Sequence, residues 1–254
     1  MTSLQIIPLQ GLPVVATGDD LSELIASAMQ RDSVAPRVGD VLVVAQKIVS
    51  KAEGRLVDLA TVEPSAQAAE LAARVEKDPR LVEVILSESV RVVRARRGVL
   101  IVEHRLGFVM ANAGVDQSNV GPSDGAQRVL LLPKDPDRSA EALRRDLSAR
   151  TGIDFAVVIN DSFGRAWRQG TVGVAIGVAG LPATIDLRGR PDLFGRKLEA
   201  SIIGFADEVA AAASLLMGQA DEALPAVVIR GLRWSAPHST AASILRPANE
   251  DLFR

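Results

Sequence analysis

Phe155-Ala-Val-Val-Ile-Asn-Asp-Ser-Phe-Gly-Arg-Ala-Trp-Arg-Gln-Gly170 is the stretch on which the reading of the fold turns. Phe155 to Ile159 is a short, continuous apolar run with β-branched residues, the pattern of a buried strand. Asp161 follows directly, so the strand is expected to open into a glycine-containing turn that exposes a carboxylate. Upstream, Asp137 to Gly152 reads as a polar-faced amphipathic helix with a glycine stop. Downstream, Gly173, Gly177 and Gly180 punctuate the apolar segment Val172 to Leu181. That spacing suits a strand approached closely by other backbone, and it lacks the dinucleotide fingerprint.

The same signals extend to both ends. Gly11-Leu-Pro-Val-Val15 follows a short apolar strand and leads to Thr17-Gly-Asp-Asp20, a cap for a helix carrying Leu21, Leu24, Ile25 and Met29. Gly39-Asp-Val-Leu-Val-Val-Ala45 reads as a buried strand opening into Gln46-Lys-Ile-Val-Ser-Lys51. Pro64-Ser65 caps a helix to about Lys77, and a second helix covers Asp78 to Ser89. Short β runs follow at Val92-Val93, Gly98 to His104, Gly107 to Ala111 and Val129 to Leu132. A long Ala-rich helix is expected from about Lys197 to Met217, then a last strand at Ala226 to Ile229. The order is neither strictly alternating nor all-helical, so the fold class is α+β.

Composition narrows the chemistry. With 254 residues and 48% hydrophobic content the chain can bury a substantial core. A formal net charge of -2 argues against a general nucleic-acid or membrane-surface binder. There is no cysteine, and His104 and His238 are the only histidines, so a bound metal should take oxygen ligands, as Mg²⁺, Mn²⁺ and Ca²⁺ do. No signal-peptide pattern opens the chain, and a cytoplasmic location is expected. His104 is read as a strand residue with a satisfied polar tip.

A second acidic stretch, Asn112-Ala-Gly-Val-Asp-Gln-Ser-Asn119, also sets an aspartate beside a glycine after a β run. Asp116 and Asp161 are therefore candidates to share one hard dication, with the Ser162 hydroxyl as a further oxygen. Plain turn capping explains the same residues as well. Lys47 and Lys51, just past a buried strand, could reach phosphates, or could simply be solvated. Gly189-Arg-Pro-Asp-Leu-Phe-Gly-Arg-Lys197 is not a phosphate loop of the usual kind, because it has one residue too many between the glycines and no Ser or Thr follows Lys197. Arg91, Arg94, Arg96 and Arg97 form the densest basic patch, read as a solvated edge, as partners of Glu83 and Glu88, or as a grip for a small polyanion. Trp167, between Arg165 and Arg168, could stack on a planar ring, but a partly buried core tryptophan is the simpler expectation.

Six segments together resemble one family, the coenzyme F420-0:γ-glutamyl ligases. They are Gly11 to Pro13, Gly39 to Gly54, Asn112 to Asn119, Asn160 to Arg165, Gly189 to Arg196 and Leu215 to Gly218, in the family's order across nearly the whole chain. The resemblance implies a single ligase domain over 1–254, with mixed sheets, flanking helices and two lobes intertwined in a homodimer. It implies GTP binding at Leu12, Pro13, Val14, Val15, Gln46, Lys47, Lys51, Asn119, Met217, Gly218, Gln219, Ala220, Asp221, Glu222, Ala223 and Leu224, with Lys51 also catalytic. Metal positions match at Asp116, Asp161, Ser162 and Gln219. Ser162 stands where threonine is frequent, and Gln219 where some members have glutamate, which removes a negative charge.

The implied reaction joins the lactyl carboxylate of F420-0 to the α-amine of L-glutamate. It proceeds through an acyl phosphate made from GTP, with further γ-linked glutamates as an extension. Two Mg²⁺ or Mn²⁺ ions are the implied cofactors and K⁺ an additional one; no nucleic acid or membrane partner is expected. A metal-dependent nucleotide phosphohydrolase and a non-catalytic GTP-binding sensor are the competing readings. The tail from Ser243 to Arg254 resembles the junction at which a nitroreductase-like domain follows in actinobacterial relatives.

Overall fold

The computed structural model describes residues 3–120 and 126–251. The extreme ends of the chain, including the last three residues of the tail discussed above, lie outside them. Among the described residues no helix is long and apolar enough to cross a membrane.

A five-stranded mixed sheet organises the molecule. Its members are β1 (Gln5–Pro8), β2 (Val41–Ala45), β8 (Ala156–Arg165), β9 (Arg168–Ala179) and β12 (Ala226–Arg230), in the order β1-β12-β2-β8-β9. β2 and β8 run parallel, and the other neighbours are antiparallel. Both faces of β2 and β8 are covered, which is why they are almost wholly apolar rather than alternating. On one face Leu42, Val44, Val157 and Ile159 pack with α1 (Leu21–Arg31), α2 (Gln46–Ala52) and α5 (Pro136–Thr151). On the other, Val41, Val43, Ala156 and Val158 pack against α6 (Phe205–Met217).

A third core, confined to residues 59–131, holds α3 (Ala66–Val75) and α4 (Pro79–Ser87) against β4 (Ser89–Arg96) and β5 (Val99–His104). β6 (Val109–Ala111) completes that three-stranded sheet, and β3 (Leu56–Asp58) pairs with β7 (Arg128–Leu130). The remaining small sheet pairs β10 (Ile185–Asp186) with β11 (Ile202–Ile203). The mixed α+β class is as expected.

Local chemistry accounts for most element boundaries. Asp20, Ser65, Asp78 and Asp135 each accept a backbone N–H from the first turn of the helix they precede, and Pro79 and Pro136 begin two of those helices. Gly152 ends α5 in the left-handed conformation. The glycines of β9 are steric necessities. A Cβ on Gly173 would lie 2.1 Å from Ser214 Oγ of α6, and one on Gly177 would lie 2.3 Å from the Pro136 carbonyl oxygen of α5. The two face opposite layers although they are four residues apart, because a register shift between Ile159 and Asn160 reverses the alternation.

Three sequence expectations change. The strand after Phe155 does not stop at Ile159: it continues through Asp161 to Arg165, because β9 supplies partners along that whole length. The Ala-rich helix begins at Phe205 rather than near Lys197, since Ile202-Ile203 pairs with β10 and Gly204 precedes the first turn. Trp167 is 89% exposed at the tip of the β8–β9 hairpin and belongs to no core.

Candidate functional site

β2 and β8 run parallel up to Ala45 opposite Asn160, where β2 ends and β8 continues alone beside β9. The carboxyl edge of adjacent parallel strands is where α/β sheets commonly bind ligands, because chains leaving the strands diverge and open a crevice. β2 passes directly into α2 there, and β8 presents Asn160, Asp161 and Ser162.

α2 carries Lys47 and Lys51 one turn apart, and both reach the same acidic turn. Lys47 Nζ lies 2.8 Å from Asp116 Oδ2 and also donates to Ser118 Oγ at 2.8 Å and to the Ser118 carbonyl at 3.2 Å. Lys51 Nζ donates to the Asn119 carbonyl at 2.7 Å. Asp116 is itself fixed by paired backbone hydrogen bonds with Leu130. Its Oδ1 accepts the Ser118 backbone N–H at 2.7 Å and hydroxyl at 2.8 Å. The turn is backbone-strained: Asn112, Ala113, Gly114 and Asn119 all have φ between 52° and 68°. Strain of this kind in non-glycine residues gathers where a fold holds a functional geometry.

The loop after α6 closes the other side. Asn119 Nδ2 donates to the Ala220 carbonyl at 2.9 Å, tying the acidic turn to that loop. Glu222 Oε2 accepts the Ala220 N–H at 2.8 Å, and its carboxylate fills the space beside Gly218 that a Cβ would occupy. Met217 is buried, and its sulfur meets Asn160 Nδ2 at 3.3 Å. Gln219, Asp221 and Ala223 are exposed, and Leu224 is half-buried. Leu12 and Val15 pack in the same cluster as Ile48 and Val49 of α2, while Pro13 and Val14 face solvent. Gly18 N–H donates to the Ala52 carbonyl, holding this loop at the far end of the helix.

The residues singled out from sequence therefore converge, with two differences. Gln46 is buried and accepts from the Ser50 hydroxyl at 2.8 Å, so its side-chain oxygen is engaged within the helix. Ser162 projects from the opposite face of β8 to Asp161, as adjacent strand residues must.

Electrostatics divide the two aspartates. Burial pushes Asp116 up, but the hydrogen bonds from Lys47 and Ser118 outweigh it and hold the carboxyl below its usual range. Asp161 is balanced differently: burial raises its carboxyl most, the Ser162 backbone N–H pulls it back, the Asp116 charge raises it and the Lys47 charge lowers it, and the outcome is a value of about 6. Burial together with the Lys47 charge depresses the Lys51 ammonium. A carboxylate lacking a counter-ion beside a second carboxylate is a natural dication position. Asn160 Oδ1 is buried without a hydrogen-bond partner, but its side chain lies on the α6 face of β8, opposite Asp161. Among the described residues no three His, Asp or Glu side chains cluster for a metal. Two carboxylates of this kind could hold a hard cation that takes its remaining oxygen ligands from outside the protein.

Sequence reading passed over Ser118 as a site residue. The signal for it was a hydroxyl two residues past an aspartate. The basic patch pairs elsewhere than expected: Arg91 with Glu103 and Arg97 with Glu76, each at 2.7–2.8 Å. Glu83 instead accepts from Ser65.

A family model described as F420-0:Gamma-glutamyl ligase matches residues 11–231. The chain is 47% identical over 253 residues to the coenzyme F420:L-glutamate ligase of Methanothermobacter thermautotrophicus, covering 99% of each chain. It is 47% identical over 259 residues to that of Methanopyrus kandleri, covering 100% of this chain and 99% of the relative. A third relative of the same name, from Methanocaldococcus jannaschii, is 42% identical over 245 residues, 96% of this chain and 94% of its own. With its lysine clasp, its acidic turn and its strand-borne aspartate on matched segments, the chain belongs to the F420-0:γ-glutamyl ligase family.

Proposed function

We propose that this chain is a GTP-dependent ligase that joins the lactyl carboxylate of F420-0 to the α-amine of L-glutamate, with γ-linked extension as a continuation. The observation that carries the reading is the crevice at the end of β2, where Lys47 and Lys51 face an acidic turn and the neighbouring strand β8 carries Asp161, its carboxyl raised to about 6. GTP phosphates take the place between the two lysines and the 217–224 loop, and Leu12 to Val15 offer the apolar edge.

A free carboxylate is a poor acyl donor because its leaving group would be an oxide. Its oxygen attacks the γ-phosphorus of GTP, the β–γ bridging bond breaks, and GDP leaves. The glutamate amine then attacks the acyl carbon of the acyl phosphate, loses a proton and expels inorganic phosphate. Asp116 and Asp161 would hold Mg²⁺ or Mn²⁺, with Gln219 adding a neutral oxygen and K⁺ as a further ion; the Ser162 side chain, on the other face of β8, falls outside that set. When bound, the dications neutralise charge gathering on the β- and γ-phosphates. Lys47 and Lys51 add fixed positive charge on the opposite wall and orient the phosphate chain. The strained acidic turn keeps these groups in place before substrate arrives.

Leu193 and Phe194, 98% and 96% exposed in a loop braced by Asp192, are apolar surface that a second copy can cover, so a homodimer belongs to the same proposal. A sedimentation mass of one chain would remove that part. The main test incubates the protein with GTP, Mg²⁺, F420-0 and glutamate and follows acceptor mass and GDP together. A glutamyl mass increment requiring all four components is expected. GDP release without acceptor or glutamate would instead identify a phosphohydrolase, and GTP binding without turnover a sensor.

A further inference from the structure

The β8–β9 hairpin runs past the body of the protein, and residues 164–171 are exposed on both strands. Its last register pair is Arg165 with Arg168, leaving Ala166 and Trp167 as a two-residue tip. Trp167 is 89% exposed and has φ 65°. A bulky residue in left-handed backbone is strained, and the turn by itself favours glycine there. The other tryptophan, Trp234, lies tilted against Phe205 and packs on a core. Neither packing nor turn geometry accounts for an indole at Trp167, and a broken local rule without a structural gain marks a functional position.

The surroundings say what such a position takes. Arg165 donates to the Gln169 carbonyl at 3.1 Å, and among the described residues neither Arg165 nor Arg168 has a carboxylate partner. An indole between two guanidiniums without counter-ions suits a planar ring that carries an anionic substituent. The tip is also in fixed relation to the phosphate crevice. Phe163, at the root of the hairpin, meets Phe108 edge-on at 5.7 Å. Asp161 and Phe163 share one face of β8, and a register shift between Gly164 and Arg165 precedes the tip. In chain order the hairpin carries the Asp161 carboxylate at its root, then the Arg165 guanidinium and the Trp167 indole at its end.

We infer that this tip is the distal grip for the acceptor: Trp167 stacks on its planar fused ring, and Arg165 and Arg168 take an anionic tether between ring and reacting carboxylate. The inference rests on the ligase reading above, since it assigns the acceptor's far end. These are positioning residues, and none touches the bonds that change.

Equilibrium dialysis of F420-0 against the 254-residue chain tests it, beside steady-state ligation and sedimentation. Trp167→Ala should weaken F420-0 binding about tenfold, within the range for loss of one aromatic stacking partner, and raise its KM alike, with the KM for GTP unchanged. Trp167→Phe should restore most of the affinity. Arg168→Gln should weaken binding and flatten its dependence on salt. Unchanged F420-0 binding by Trp167→Ala overturns the inference. So does a Trp167→Ala chain that binds F420-0 normally and sediments at lower mass, which makes the tip a contact between copies. Dialysis needs no turnover, so a protein that binds F420-0 through Trp167 yet ligates nothing refutes the ligase reading alone.

Discussion

Two charged clusters hang from the same short segment of chain and have opposite character. Lys47 and Lys51 on α2 face Asp116 and Asp161, while Arg55, four residues further on, turns to Glu88. Glu88 is saturated. Arg55 contacts it at 3.0 Å, Arg105 at 3.0 Å, and the fully buried His104 approaches at 3.4 Å, while His104 Nδ1 accepts the Leu106 N–H. Burial raises the Glu88 carboxyl, but His104, Arg55 and Arg105 overcome it and hold it at about 2. Asp161, in the other cluster, is pushed to about 6. The difference teaches which cluster is scaffold. Evolved structures satisfy buried charge where only folding is at stake and leave it short of partners where a ligand completes it.

The sharpest way to break this contrast is Asp161→Asn. Turnover should fall by about a thousandfold or more, as for loss of a group acting on transferring phosphoryl charge. Thermal stability without metal should hold or rise, because a carboxylate disfavoured by burial has been neutralised. Retained ligation, or a collapse of the fold, would return Asp161 to the scaffold. Glu88→Gln should do the reverse, leaving two guanidiniums under-compensated at a cost of about 3 kcal/mol while the KM for GTP in folded protein stays unchanged.

The acid limb follows from the sign of the Glu88 shift. Its folded value of about 2 lies below the ordinary 4.5, so its contribution is complete above about pH 4.5 and is lost as pH falls toward 2. Urea midpoints across that window should drop less steeply in Glu88→Gln than in the parent. A parallel decline would assign the acid sensitivity elsewhere. The smallest effect belongs to Lys47→Met. Its pair with Asp116 is partly solvated, so stability should change by about 0–1 kcal/mol, while the KM for GTP rises about tenfold. A large stability loss with an unchanged KM would place Lys47 with Arg55 instead.

Much of this was legible before any coordinates. Caps at Asp20 and Ser65, the apolar runs of β2 and β8, and the glycine approach along β9 all come from neighbours a few residues apart, and they appear where expected. The site residues were legible as types in a pattern, Asp116 and Asp161 above all, though capping and metal binding could not be told apart locally. What escaped were properties fixed by distant partners. Asp161 reads as a turn residue until β9 extends the strand past it. Trp167 reads as core until the hairpin carries it beyond every apolar surface. Glu88 reads as a partner for nearby arginines on β4, and finds Arg55 and Arg105 instead.

The sequence by itself determined the family, the element types and the oxygen-rich, cysteine-free chemistry, because these depend on residue identity and short-range periodicity. Only the tertiary structure decided which charges are paired. Lys47 and Ser118 are 71 positions apart, and Asn119 and Ala220 are 101 apart. Their meeting is set by sheet order and register, and the burial that raises Asp161 exists only once those layers have closed.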